Sequence, residues 1–70
     1  MKTINVTTPE GNIFCILGFA KSYQDQLKKA GINSESLDFV LSNFFDIEYD
    51  EILDRLEKTR FFKFVGREEA

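Results

Sequence analysis

The chain has 70 residues, 43% of them hydrophobic and 30% charged, with a formal net charge of −3, which suits one domain around one small core and excludes a disordered chain. It has no histidine and one cysteine, Cys15, so the usual general base near neutral pH, an internal disulfide and a zinc site of ordinary composition are all excluded. Negative net charge also weighs against nonspecific nucleic-acid binding, which needs Lys and Arg to neutralise phosphates.

Residues 2 to 7 alternate, with Ile4 and Val6 on one side and Thr3, Asn5 and Thr7 on the other, as in a half-buried strand. Thr7-Thr8-Pro9-Glu10-Gly11-Asn12 then turns the chain. Pro9 presets φ, Gly11 is expected to take a positive φ, and Asn12 is placed to cap a helix starting at Ile13. A helix start can hold an anion, but Glu10 would repel a phosphate and the loop lacks the glycines and lysine of a phosphate cradle.

From Ile13 the period is helical: Ile13, Ile16, Leu17, Ala20, Tyr23, Leu27 and Ala30 form a stripe that closes at Gly31. Phe14, Cys15 and Phe19 lie outside the stripe, so the first half of the helix is apolar nearly all round and needs cover of its own. Cys15 is expected in the core, and Gly18 implies that something packs close to the helix backbone there. The longest apolar run, Ile13 to Ala20, is too short to cross a bilayer. No signal-peptide pattern is visible, so a cytoplasmic location is expected.

Asn33 or Ser34 caps a second, short helix carrying Leu37, Val40, Leu41, Phe44 and Phe45 at helical spacing. A third begins at Asp46 or Glu48 and buries Ile47, Tyr49, Ile52, Leu53 and Leu56, with Lys58 and Arg60 near its end. Phe61 to Val65 reads as a second strand stopped by Gly66, and the polar tail, residues 67–70, is expected to fray. The fold class is therefore α+β: three helices packed on a two-stranded ribbon made by the N- and C-terminal strands, β-α-α-α-β, in a single domain over residues 1–70. An antiparallel ribbon is the simplest closure, though the order alone does not settle its direction. Its free edges invite a further strand or a second copy of the chain.

Asp50, Asp54 and Glu57 share one face of the third helix. The EF-hand pattern is missing and exposed helix carboxylates lack the setting of a catalytic pair, so no metal, cofactor or catalytic residue is expected. Such a face either solvates the helix or docks on a basic surface. Phe61, Phe62 and Phe64 interleave with Lys63 near Arg60 and Arg67, a pattern some modules use to stack single-stranded bases, but eight phenylalanines in so short a chain are needed for its core. The serines have no base partner, which leaves nucleophilic catalysis without a candidate.

The motif Pro9-Glu10-Gly11-Asn12-x-Phe14, followed by Gly18, then Tyr49-Asp50-x-x-Leu53 and a closing aromatic strand, resembles a group of small uncharacterised proteins encoded by bacteriophages and prophages. In that group a (D/P)-x-G-N-x-F turn opens one helix and a tyrosine-acid-leucine segment opens a later one. The similarity covers residues 3 to 65 and departs from the pattern at Ile13 and in the Lys and Gln content of the first helix. It implies no catalytic residue. It does imply a phage context, in a host cytoplasm, where compact acidic proteins often act by binding a host protein.

The expectation is thus a non-enzymatic interaction protein, a possible homodimer, that engages a host or viral protein through Asp50, Asp54 and Glu57 or through Phe14 and Phe19. One variant of this is a phage inhibitor of a host defence system acting by charge mimicry. The alternative class is a nucleotide or single-stranded nucleic-acid module using Gly11, Asn12, Phe62, Lys63 and Phe64.

Overall fold

The computed structural model describes residues 1–67. Strand β1 (Lys2–Asn5) leads through a 3₁₀ turn (Pro9–Gly11) into α1 (Ile13–Lys29). Helix α2 (Glu35–Ser42), a second 3₁₀ turn (Phe44–Asp46), α3 (Tyr49–Lys58) and β2 (Phe62–Val65) follow. This is the expected α+β fold with the expected element order.

β1 and β2 pair in parallel, Lys2 opposite Phe62 and Asn5 opposite Val65. The antiparallel closure favoured from sequence is therefore corrected. Parallel neighbours need a crossover long enough to return the chain to its starting end, and the three helices supply it, delivering Phe61 to the start of β1. There the Lys2 N–H donates to the Phe61 carbonyl at 2.9 Å, while past the other end the Val6 N–H donates to Val65 at 3.0 Å. Ile4 is buried between exposed neighbours, and Phe62 and Phe64 are buried on the same pleat.

β1 stops at Asn5, two residues short of the alternation, because the Asn5 side chain turns the chain. Its Oδ1 accepts from the Thr7 N–H (3.0 Å) and hydroxyl (2.6 Å), and its carbonyl accepts from the Thr8 hydroxyl (2.7 Å). Such local side-chain bonds compete with the ladder. Thr8 then caps the 3₁₀ turn. Gly11 does not take a positive φ, as Gly31 and Gly66 do. It is required for a different reason: a Cβ there would overlap the Cα and carbonyl of Val6.

The helix ends follow local chemistry closely. Asn12 Oδ1 accepts from the Phe14 N–H at 2.8 Å, and Ser34 Oγ from the Leu37 N–H at 3.3 Å. At the other end of α1, Gly31 (φ +74°) completes a Schellman motif, with Gly31 N–H on Lys28 and Ile32 N–H on Leu27 at 3.0 and 2.8 Å. α2 ends at Ser42 because both the backbone N–H and the side-chain amide of Asn43 bond to the Phe39 carbonyl. The chain then tightens into the second 3₁₀ turn, so Asp46 lies before α3, whose N-cap is Glu48.

The core is one cluster in which Ile16 and Ala20 of α1, Leu37 and Val40 of α2, and Ile52, Leu53 and Leu56 of α3 meet the strands' Ile4, Phe62 and Phe64. Two expectations fail on α1. Cys15 is exposed rather than in the core, and nothing lies within 4 Å of a Cβ built on Gly18. The stripe at Ile13, Ile16, Leu17 and Ala20 faces inward as read, but a two-stranded sheet is too narrow to wrap the helix, and positions 14, 15 and 18 face solvent. Among the described residues no helix is long and apolar enough to cross a membrane.

The two glycines therefore have opposite substitution behaviour. Gly11→Ala is expected to destabilise the chain by more than about 2 kcal/mol through forced backbone movement at Val6. Gly18→Ala, in open space mid-helix, is expected to stabilise it by about 0.5 to 1 kcal/mol. Urea unfolding of the two variants checks both signs.

Candidate functional site

Asp50, Asp54 and Glu57 do share a side of α3, and Arg67 draws them together. Its Nη1 donates to Asp54 and to Glu57, each at 2.8 Å, and its Nη2 donates to the Asp50 backbone carbonyl at 3.3 Å and lies 4.0 Å from that residue's carboxylate. The hydrogen bond to Asp54 is the main reason the Arg67 guanidinium holds its proton more tightly than usual; burial works against it and the Glu57 carboxylate adds to it. Arg67, grouped with the tail from sequence, is thus fastened to α3, while residues 68–70 lie outside the described part.

Glu57 is further engaged. Its second carboxylate oxygen accepts the Phe64 N–H at 3.2 Å, a β2 amide turned away from β1. The acid closes that position on the strand edge and ties the end of the ribbon to α3. Of the three carboxylates only Asp50, 88% exposed, remains fully presented to solvent. Arg67 thus offsets part of the charge that the three carboxylates present together.

The alternative ligand residues are committed elsewhere. Gly11 is buried against Val6 and its carbonyl accepts the Tyr49 hydroxyl at 2.5 Å, while the Asn12 side chain caps α1. Phe62 and Phe64, 2% and 5% exposed, stack on each other in the core with centroids 6.3 Å apart. Neither can receive a base. Lys63 is left alone on the exposed side of β2.

The apolar start of α1 gives a different result. Phe14 is 67% exposed, and beside it lies Phe45, 74% exposed, with ring centroids 6.4 Å apart and planes inclined by 50°. Phe45 was read from sequence as part of the second helix's apolar stripe. The tighter 3₁₀ turn rotates it out of phase, so Phe44 enters the core and Phe45, edge-on to it, projects. The adjacent FF pair and the asparagine before it were the only local signals of that change. Phe19, proposed with Phe14, is half-buried and covered by the Lys2 ammonium, 4.3 Å from its ring centre.

The Tyr49–Gly11 bond and the Phe14–Phe45 contact bring the start of α1, the second 3₁₀ turn and the start of α3 to one place. The segments that meet there carry Glu10, Asp46, Glu48 and Asp50, and no Lys or Arg occurs between Lys2 and Lys21 or between Lys29 and Arg55. The segments that bring the aromatic pair together thus carry acids and no base of their own.

Elsewhere, α2 and α3 border an open cleft of about 520 Å³ lined by Glu35, Ser36, Phe39, Glu51, Asp54, Arg55 and Lys58. One ion pair lies within its lining. The Arg55 guanidinium lies 4.8 Å over Phe39 and 3.7 Å from Glu51, while its Nε is buried without a partner. Of the binding residues proposed from sequence, Asp54 lines this cleft. Comparison with protein-family models, curated proteins and solved structures finds no match for the chain.

Two outcomes follow from the Arg67 and Tyr49 contacts. Arg67→Ala is expected to cost about 1 kcal/mol in chemical unfolding, since it removes two charged hydrogen bonds from a half-buried guanidinium. Tyr49 titrates above its ordinary value of 10.0, first because burial disfavours the phenolate and then because Asp50 repels it, with Arg67 acting in the opposite sense. The unfolded chain therefore loses this proton first, and the stability Tyr49 contributes is complete below about pH 10 and lost as pH rises through the folded value. In unfolding measured against pH, Tyr49→Phe should show a shallower alkaline decline than the wild type.

Proposed function

We propose that this protein is a small, non-enzymatic interaction protein that binds a protein partner through the Phe14–Phe45 pair and the carboxylates beside it. The observation that carries this reading is the pair itself. Two adjacent phenylalanines more than two-thirds exposed lose apolar burial in the free chain, and aromatic clusters rimmed by polar groups are typical anchors of protein interfaces. The acidic rim adds the sign of the partner: a surface bearing Lys or Arg around an apolar centre.

The resemblance to phage- and prophage-encoded proteins favours a partner in a host cytoplasm. A second copy of the chain is the other occupant to weigh. A two-fold contact across this patch would set its carboxylate rim against itself, which favours a different, basic partner. The acidic face of α3 contributes through Asp50, exposed in the first turn of that helix, rather than through Glu57, which binds Arg67 and the Phe64 amide.

The test compares immobilised wild type with a Phe14→Ser/Phe45→Ser variant in recovery from host lysate, with circular dichroism melts of both. The expected result is a partner retained by the wild type and weakened more than about 30-fold by the variant, the loss of two anchor residues, at unchanged melting temperature. Recovery of the same proteins by both, or of none by either, overturns the reading. Sedimentation of the free protein distinguishes self-association as the cause.

A further inference from the structure

The chain covers its own half-exposed phenylalanines in a consistent way. Lys2 lies 4.3 Å over Phe19 and Arg55 lies 4.8 Å over Phe39, and both distances are within the range of cation–π attraction. Phe61, also partly buried, is instead stacked on Tyr23 at 4.8 Å. Phe14 and Phe45 are the two most exposed rings, and among the described residues no cation lies over either.

Their surroundings are short of cations in a specific way. Glu10, Asp46, Glu48 and Asp50 flank them in sequence without an intervening base. Arg67, which reaches Asp50, is held by Asp54 and Glu57 at 2.8 Å. Because the two rings are inclined by 50° rather than stacked, neither uses up the other's π face. Negative potential and open π faces together attract a cation, and each strengthens the other.

We propose that the Phe14–Phe45 pair receives an arginine or lysine side chain of the partner protein, supplying in trans the cover that Lys2 and Arg55 supply to Phe19 and Phe39. Arginine suits the site better, since its planar guanidinium stacks on a ring while its edge donates to carboxylates. The inference rests on the interaction reading above and adds the chemistry of the contact: a charged side chain over the rings, not an aliphatic one between them.

The probe is an end-capped Gly-Arg-Gly-Arg-Gly peptide, with its citrulline counterpart, which keeps the shape and removes the charge. Each is titrated into the labelled full chain while the ring resonances of Phe14 and Phe45 are followed by NMR. The arginine peptide is expected to shift both rings. Citrulline should weaken binding at least fivefold, and Phe14→Leu and Phe45→Leu, which keep apolar surface but remove the π face, by about fivefold each. Asp46→Asn/Glu48→Gln should weaken it further and flatten its salt dependence. Equal binding of the citrulline peptide, unchanged binding by the Leu variants, or no ring shift up to millimolar peptide overturns the inference.

The same Leu variants separate this result from the broader reading. A partner lost on Phe14→Ser/Phe45→Ser but fully kept on Phe14→Leu/Phe45→Leu leaves the interaction surface standing and removes the cation. A partner lost on both sets supports the cation contact.

Discussion

The structure depends on the parallel pairing of its two ends. A pair of four-residue strands has too little buried surface to stand alone, and parallel strands must be bridged by a long crossover. Here all the intervening chain is the crossover, and it also supplies the core: Ile4, Phe62 and Phe64 are buried only because α1, α2 and α3 lie against them. Neither the sheet nor the helical layer exists without the other. The closing bonds, Lys2 to Phe61 and Val6 to Val65, bracket the ladder on both sides.

Parallel closure also decides what gathers where. Both strands end at the same side of the molecule, so the turn that launches α1 and the segment that follows β2 are neighbours. Gly11 packs on Val6 and is bonded by Tyr49, and Arg67 falls across Asp50, Asp54 and Glu57. Acids from four separate positions collect around this end, while Lys28, Lys29 and Lys58 lie in the last turns of α1 and α3. Asp54 and Glu57 are tied to Arg67, while Glu10, Asp46 and Glu48 lie in the segments that carry Phe14 and Phe45. That division separates the carboxylates that hold Arg67 from those of the turns before α1 and α3.

Local features were legible in the sequence because their causes are local. Asn12 and Ser34 cap helices, Gly31 ends one, and the Ile13–Ile16–Ala20 stripe faces the core, each from a spacing of a few residues. Features set by the global arrangement were not. The ribbon's direction depends on how three helices pack; the exposure of Cys15 and Gly18 depends on the narrowness of the sheet. Arg67 looked like tail because its partners lie 10 to 17 positions away. Phe45 was hidden by a single change of helical pitch after Asn43, which turned an apparent core residue into half of the aromatic pair. The acidic face of α3 is legible as a face, but Arg67's hold on Asp54 and Glu57 is a tertiary fact.

Parallel closure of the ends sets the start of α1 beside the second 3₁₀ turn. A nuclear Overhauser spectrum of the labelled protein reads both contacts at once. The expected spectrum shows cross-strand contacts in the parallel register, Ile4 with Phe64 and Lys2 with Phe62, together with cross-peaks between the rings of Phe14 and Phe45. Contacts pairing Lys2 with Val65, the signature of an antiparallel ribbon, and no Phe14–Phe45 cross-peak would contradict it.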